Sequence, residues 1–340
     1  MSLDQIRQAL SNILVPGLNR SITQLNLVRD IDIPDDYRRP RITLASTGLD
    51  VAVQDWIRDQ VSSTIAALIE ASSVTVEFVE VPPRDLNQIR HIIAVVSGKG
   101  GVGKSLVTGL LAVALKREGY GVGILDADIT GPSIPKMFGL SARPTGSETG
   151  ILPVPSRSGI EIISINLLLP HEDDALVWRG SHVGKTIEQF WQEVVWGQLD
   201  YLVVDLPPGT ADAPLTVMES FPLSGVIVSF TPQDLTSMVA RKAVKMAQIM
   251  KVPILGVVEN MSYFLVPGTG ERIEIFGKSK GEEMAKATGV PLLGQFPLDP
   301  ELARLCDEGD IERYDSDAFA AFAQALSRAL PQAEGGPGQS

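Results

Sequence analysis

The chain has 340 residues, with 29 Lys and Arg against 41 Asp and Glu, and its formal net charge of −12 without a basic run argues against direct nucleic-acid binding. No apolar run approaches the roughly 18 residues of a membrane span, and residues 1–20 lack a signal-peptide core, so a cytoplasmic protein without a membrane partner is expected. A single cysteine, Cys306, excludes an intrachain disulfide, and His91, His171 and His182 are too scattered for metal-ligand spacing.

Residues 3–15 read as an amphipathic helix with Leu3, Ile6, Leu10, Ile13 and Leu14 on one face, stopped by Pro16-Gly17. Strand-like runs near 25–33 and 41–45 follow, joined through Pro34-Asp35-Asp36, then a helix over 53–69 and a strand over 74–79. This αββαβ unit predicts a small α+β domain at 1–80. Residues 81–90 read as a linker because Pro82 and Pro83 disfavour both helix and central strand.

From residue 92 the pattern alternates. Apolar runs at 92–96, 123–125, 160–165, 201–204, 226–229, 254–258 and 292–296 are separated by helical stretches, among them 183–195, 234–250 and 281–288. Continuous apolar strands between helices predict an α/β, doubly wound, mostly parallel sheet over 91–330, with ligands at the carboxyl ends of its strands. A last amphipathic helix spans 315–330, and 331–340 reads as a disordered tail.

The first strand runs into Ser97-Gly98-Lys99-Gly100-Gly101-Val102-Gly103-Lys104-Ser105, which satisfies G-x-x-x-x-G-K-[ST] in the strand-loop-helix setting that motif needs. The glycines allow backbone N–H groups and a helix N-terminus to converge on an anion. Lys104 is expected on the β- and γ-phosphates and the Ser105 hydroxyl on Mg²⁺. Two strand ends then carry carboxylates. Leu125-Asp126-Ala127-Asp128 can polarise an attacking water or, alternatively, cap a turn. Tyr201-Leu202-Val203-Val204-Asp205, followed by Leu206-Pro207-Pro208-Gly209-Thr210, looks like a Walker B strand and switch II, the alternative being a plain strand-to-turn junction. Here Asp205 would hold Mg²⁺ through water and the Gly209 amide would sense a γ-phosphate.

The second lysine, Lys99, resembles the deviant Walker A of the nitrogenase iron protein, septum-placing, plasmid-partition and Mrp/ApbC ATPases; the alternative is a solvated loop lysine. The resemblance implies an ATP-hydrolysing homodimer in which Lys99 crosses to the partner's phosphates, and Asp128 orients the attacking water. Thr231-Pro232-Gln233-Asp234 and Val257-Val258-Glu259-Asn260-Met261-Ser262-Tyr263-Phe264 extend the likeness to the Mrp/ApbC iron–sulfur cluster carriers over about residues 90–310. It implies ATP as nucleotide, read at its adenine by Asn260 with Pro297 beside the base, and an iron–sulfur apoprotein or scaffold as partner. Residues 1–80 resemble the accessory domain of iron–sulfur assembly fused ahead of such ATPases, although Val51-Ala52 stands where that family carries cysteine and proline.

After Met-Ser-Tyr-Phe the family places C-x-x-C for a bridging cluster, and here Val266 and Thr269 occupy those positions, leaving no cluster ligand identified. Cys306 reads better as a small buried hydrophobe. Leu106 replaces a second hydroxyl after the loop, and Ala211 a glycine after Gly209-Thr210. The leading expectation is a cluster carrier or assembly ATPase. The rivals are an ATP-driven dimer switch that docks a partner without a cluster, and a spatial organiser, which would want a basic helix or surface.

Overall fold

The computed structural model describes residues 3–34, 39–71, 73–128, 131, 133–168, 180–209 and 212–331. The expected turn at 35–36, residues 129, 130 and 132 beyond Asp128, Thr210 and Ala211, His171, and the tail beyond Pro331 lie outside the described residues. The chain divides into a smaller unit of Met1–Ile89, Arg143–Pro155 and Gln189–Leu199, and a larger one of Arg90–Ala142, Ser156–Glu188 and Asp200–Ser340.

In the smaller unit, α1 (Leu3–Leu10), β1 (Val28–Asp32), β2 (Arg41–Ala45), α2 (Val51–Ile69) and β3 (Thr75–Val79) follow the expected order. β2 is central, antiparallel to β1 and parallel to β3. Asp50 caps α2 by accepting from the Val53 N–H at 2.8 Å, and Ile57, Val61 and Ile65 recur at helical spacing on its buried face. Helix α1 ends five residues short of the expected stop. Ser11 Oγ and Asn12 Nδ2 both donate to the Gln8 carbonyl and offer the backbone an exit, leaving Leu14 52% exposed.

Residues 81–90, expected as a linker, hold a helical turn, Pro83–Leu86, and the start of β4 (Gln88–Ser97). Proline is tolerated there because the first turn of a helix has no carbonyl for its missing N–H. Arg20 is the main polar anchor of this unit. Nearly buried, it donates to the carbonyls of Trp196 at 2.6 Å, Gln24 at 2.7 Å and Gln198 at 2.8 Å.

In the larger unit β4 is followed by α3 (Lys104–Arg117), β5 (Val122–Asp126), β6 (Glu161–Ser164), α4 (Gly180–Glu193), β7 (Gln198–Asp205), α5 (Asp212–Ser220), β8 (Gly225–Phe230), α6 (Asp234–Ile249), β9 (Ile254–Glu259), α7 (Gly281–Thr288), β10 (Leu292–Gln295), α8 (Pro300–Glu308) and α9 (Asp317–Ala329). The strands lie in the order β10-β9-β8-β4-β7-β5-β6, so β4 is interior and the chain winds outward to both sides. The registered neighbours β10/β9, β9/β8, β8/β4, β7/β5 and β5/β6 are all parallel. This is the doubly wound sheet expected from the apolar runs.

Burial explains the strand composition. Ile93, Val95, Ile124, Val203 and Ile227 are fully enclosed with α3, which is apolar on every side because it lies between the sheet and later elements of the unit. Five polar exceptions gather at one end: Ser97, Asp126, Asp205, Ser229 and Glu259 sit at or beside the carboxyl ends of five strands, all buried. No helix among the described residues is long and apolar enough to cross a membrane.

Replacing Arg20 with Met should lower the unfolding free energy by about 2–4 kcal/mol, because three carbonyls lose their donor where water has little access. A urea midpoint unchanged from wild type would show that the anchor contributes nothing net.

Candidate functional site

β4 delivers the chain to the loop at 98–103, and Gly103 closes it in the left-handed region at φ 77° immediately before α3. A side chain there is excluded twice over. A Cβ on Gly103 would also lie 2.0 Å from Asn260 Nδ2, which donates to the Val102 carbonyl at 3.0 Å. Lys104 and Ser105 therefore occupy the first two positions of the helix, where free N–H groups face an incoming anion.

The structure brings the predicted charges together. Lys104, only 5% exposed, places Nζ 2.8 Å from Asp205 Oδ1 and 3.4 Å from Asp128 Oδ2. Ser105 Oγ donates to Asp205 Oδ2 at 2.5 Å. Asp126 stands beside Asp205 in the β5/β7 register; it accepts from Ser164 Oγ at 3.0 Å and from the Asp128 N–H at 3.2 Å. Three carboxylates thus surround one ammonium.

Burial opposes a charge on Lys104, but Asp205, Asp128 and Asp126 outweigh it and hold the ammonium above its ordinary range. Burial, and then the neighbouring Asp205, push Asp126 up to about 8, against the pull of Lys104 and Ser164. Asp126 is therefore both the local cap that the sequence allowed and a carboxyl that burial holds toward its protonated form.

The remaining expected residues take up contacts within the chain. Half-buried Lys99 donates from Nζ to Gln233 Oε1 at 3.2 Å. The Gly209 N–H donates to the Ser97 carbonyl at 2.9 Å, with Gly209 at φ 98°. Asn260 spends its amide on the Val102 carbonyl, and buried Pro297 follows Phe296, whose carbonyl accepts from the Ser262 N–H at 2.8 Å. Gly98, Gly100 and Gly101 line the loop, with Gly101 at φ 81° and open space around it.

Sequence reasoning passed over three side chains of this network: Thr108, whose hydroxyl reaches Asp205 Oδ1 at 2.7 Å, Ser164 behind Asp126, and Gln233 as the partner of Lys99. Thr108 had a readable signal. It lies one turn beyond Lys104, on the same helix face.

Val266 and Thr269 lie around the turn of a short hairpin, Phe264–Leu265 paired with Arg272–Ile273. The Val266 N–H donates to the Glu271 carbonyl at 2.9 Å, and Thr269 Oγ1 accepts from the Glu271 N–H at 3.3 Å. Buried Glu259 ties the surroundings down, accepting from Ser262 and Ser279 hydroxyls at 2.6 Å each and from the Lys280 N–H at 2.7 Å. Among the described residues no group of three or more His, Cys, Asp or Glu could hold a metal ion. Cys306, half-buried on α8, packs against the core, and burial with Asp307 pushes its thiol up to about 11.

A lysine and serine at the start of a helix behind a glycine loop, facing a strand-end aspartate in a doubly wound sheet, define a P-loop NTPase. The family model described as NUBPL iron-transfer P-loop NTPase matches residues 88–330, and one described as iron–sulfur cluster assembly protein matches residues 3–78. The chain belongs to the NUBPL iron-transfer P-loop NTPase family. The iron–sulfur cluster carrier protein of Aquifex aeolicus is 38% identical to it, over 92% of this chain and 94% of the relative. That of Synechocystis sp. is 36% identical over 98% of each. A nucleotide-binding protein from Archaeoglobus fulgidus, solved in complex with ADP, is 45% identical with a TM-score of 0.63, covering 71% of this chain and 96% of that one.

Because Asp126 is raised, its protonated form is the one the fold favours. Its contribution to stability is complete below the ordinary value of 3.8 and is lost as pH rises through about 8. The melting temperature of the nucleotide-free protein should therefore fall progressively between about pH 4 and pH 8, and Asp126→Asn should flatten that fall. Parallel wild-type and variant curves would refute the assignment.

Proposed function

We propose that this chain is an ATP-hydrolysing, magnesium-dependent iron–sulfur cluster carrier or assembly factor that works in the cytoplasm as a homodimer. The observation that carries the reading is the pair of family matches, over 3–78 and 88–330, laid on a phosphate loop with Lys104, Ser105 and Asp205 in mutual contact. In this reading 1–80 is the assembly-type accessory domain, 81–90 the join and 91–330 the ATPase.

Ser105 Oγ and Asp205 Oδ2 are hard oxygen donors on one spot, the donor set Mg²⁺ takes. Bound there, Mg²⁺ supplies charge neutralisation on the β- and γ-phosphate oxygens. Lys104 exchanges Asp205 and Asp128 for phosphate oxygens, and Asp128, so released, orients the attacking water. Lys99 leaves Gln233 for the partner protomer's phosphates. The Gly209 amide trades the Ser97 carbonyl for a γ-phosphate oxygen, a contact that hydrolysis then breaks. Asn260 and Pro297 flank the adenine and favour ATP over GTP.

The cargo raises a second reading. Iron in a cluster takes soft thiolates, and Val266 and Thr269 supply none, while Cys306 offers one half-buried thiol per protomer. These residues do not fit a bridging cluster. They favour a member that drives the assembly of clusters held by a partner protein, as an ATP-dependent dimer switch.

Lys104→Ala should abolish hydrolysis in a phosphate-release assay, and unchanged turnover would overturn the nucleotide assignment. Anaerobic reconstitution with iron and sulfide separates the two readings of cargo. About two iron per protomer, lost in Cys306→Ser, would mean a cluster bridged with non-cysteine help. Iron near zero with intact hydrolysis would mean the switch.

A further inference from the structure

Among the described residues Asp205 has three side-chain partners, and the proposed reaction claims two of them. Lys104 Nζ holds Oδ1 at 2.8 Å and Ser105 Oγ holds Oδ2 at 2.5 Å, and both are needed elsewhere once nucleotide and metal arrive. The third is Thr108. Its hydroxyl is fully buried, 2.7 Å from Asp205 Oδ1 and 3.1 Å from the Lys104 carbonyl. One hydroxyl proton serves one of these, and the shorter bond to a carboxylate is the stronger.

From this geometry we propose that Thr108 is a positioning residue for the metal site. It keeps Asp205 Oδ1 bonded after Lys104 has moved to phosphate, so that Oδ2 stays turned toward the metal shared with Ser105. The inference rests on the reading of Ser105 and Asp205 as the magnesium donors and adds the group that orients one of them.

Three observations favour orientation over simple packing. Thr108 is the residue of α3 one turn beyond Lys104, so the helix that presents the phosphate lysine also fixes the hydroxyl's height against β7. Asp205 is entirely buried, so water cannot replace a lost donor. Without Thr108 and with Lys104 on phosphate, no other described side chain donates to Oδ1. The carboxylate would then be free to rotate, and partners behind a metal ligand are typically worth about 10–100-fold in metal affinity.

The test is binding, read apart from turnover. The full chain is titrated with Mg²⁺ in the presence of a fluorescent non-hydrolysable ATP analogue, and the Mg²⁺ concentration at half-maximal binding is compared among wild type, Thr108→Val and Thr108→Ser. Val keeps the shape and removes the donor, and should raise that concentration at least about tenfold. Analogue binding in EDTA should stay unchanged, and Ser should restore the midpoint to within about threefold of wild type. If Val does not fold, Thr108→Ala gives the same comparison. A Val or Ala midpoint equal to wild type overturns the proposal. So does a Ser variant as impaired as Val, which would assign the residue to packing alone. A wild type whose analogue binding ignores Mg²⁺ overturns the reading of the metal site, and this inference with it.

Discussion

The site depends on one buried ion cluster: an ammonium, Lys104, enclosed by Asp205, Asp128 and Asp126 at the end of an otherwise apolar sheet. Three acids around one base cannot all be satisfied as ions away from water, and removing one member of such a group typically costs about 3–5 kcal/mol. The structure relieves part of the imbalance by favouring the protonated form of Asp126. The rest stands as a local excess of negative charge beside a lysine that a triphosphate would draw away. A divalent cation placed between Ser105 and Asp205 would compensate that loss, which is why the arrangement fits a nucleotide–metal pair better than a nucleotide alone.

Around this cluster, the groups that move in the proposed reaction are held by contacts that a phosphate oxygen could replace. Lys99 rests on a neutral amide, Gly209 on a single carbonyl, and Lys104 on carboxylates that have other work. Each is a hydrogen bond or ion pair of a kind that a phosphate oxygen can replace, and in the proposed reaction that replacement would shift a loop. The fixed parts are different in kind. Asn260 locks the Val102 carbonyl at a place where Gly103 admits no side chain, and Glu259, one residue earlier, gathers donors from Ser262, Ser279 and Lys280. Loop and hairpin are therefore anchored to the same strand end, β9.

The hairpin is a folded element that carries no thiolate. Val266 and Thr269 are integrated into its turn through backbone and hydroxyl hydrogen bonds. Carrier chemistry and nucleotide chemistry are separable in this chain because they use different atoms: soft sulfur for iron, hard oxygen for magnesium.

Much of this was legible in the residues. The glycine loop, the apolar runs ending in Asp126 and Asp205, and the spacing of helices between them determined the doubly wound sheet and pointed to Lys104, Ser105 and Asp205, because periodicity and turn chemistry are local properties, whereas Asp128 was singled out by the family resemblance. The end of α1 and the helical turn at Pro83–Leu86 were not legible, since they depend on which competing hydrogen bond wins. Nor was the set of partners: Lys99 with Gln233, Asp126 with Ser164, Thr108 with Asp205, and Arg20 with carbonyls more than 170 positions away. Sequence by itself determined the class of protein, a P-loop NTPase with a doubly wound sheet. Only the tertiary structure decided which groups face one another, because those contacts join segments whose separation along the chain carries no periodic signal.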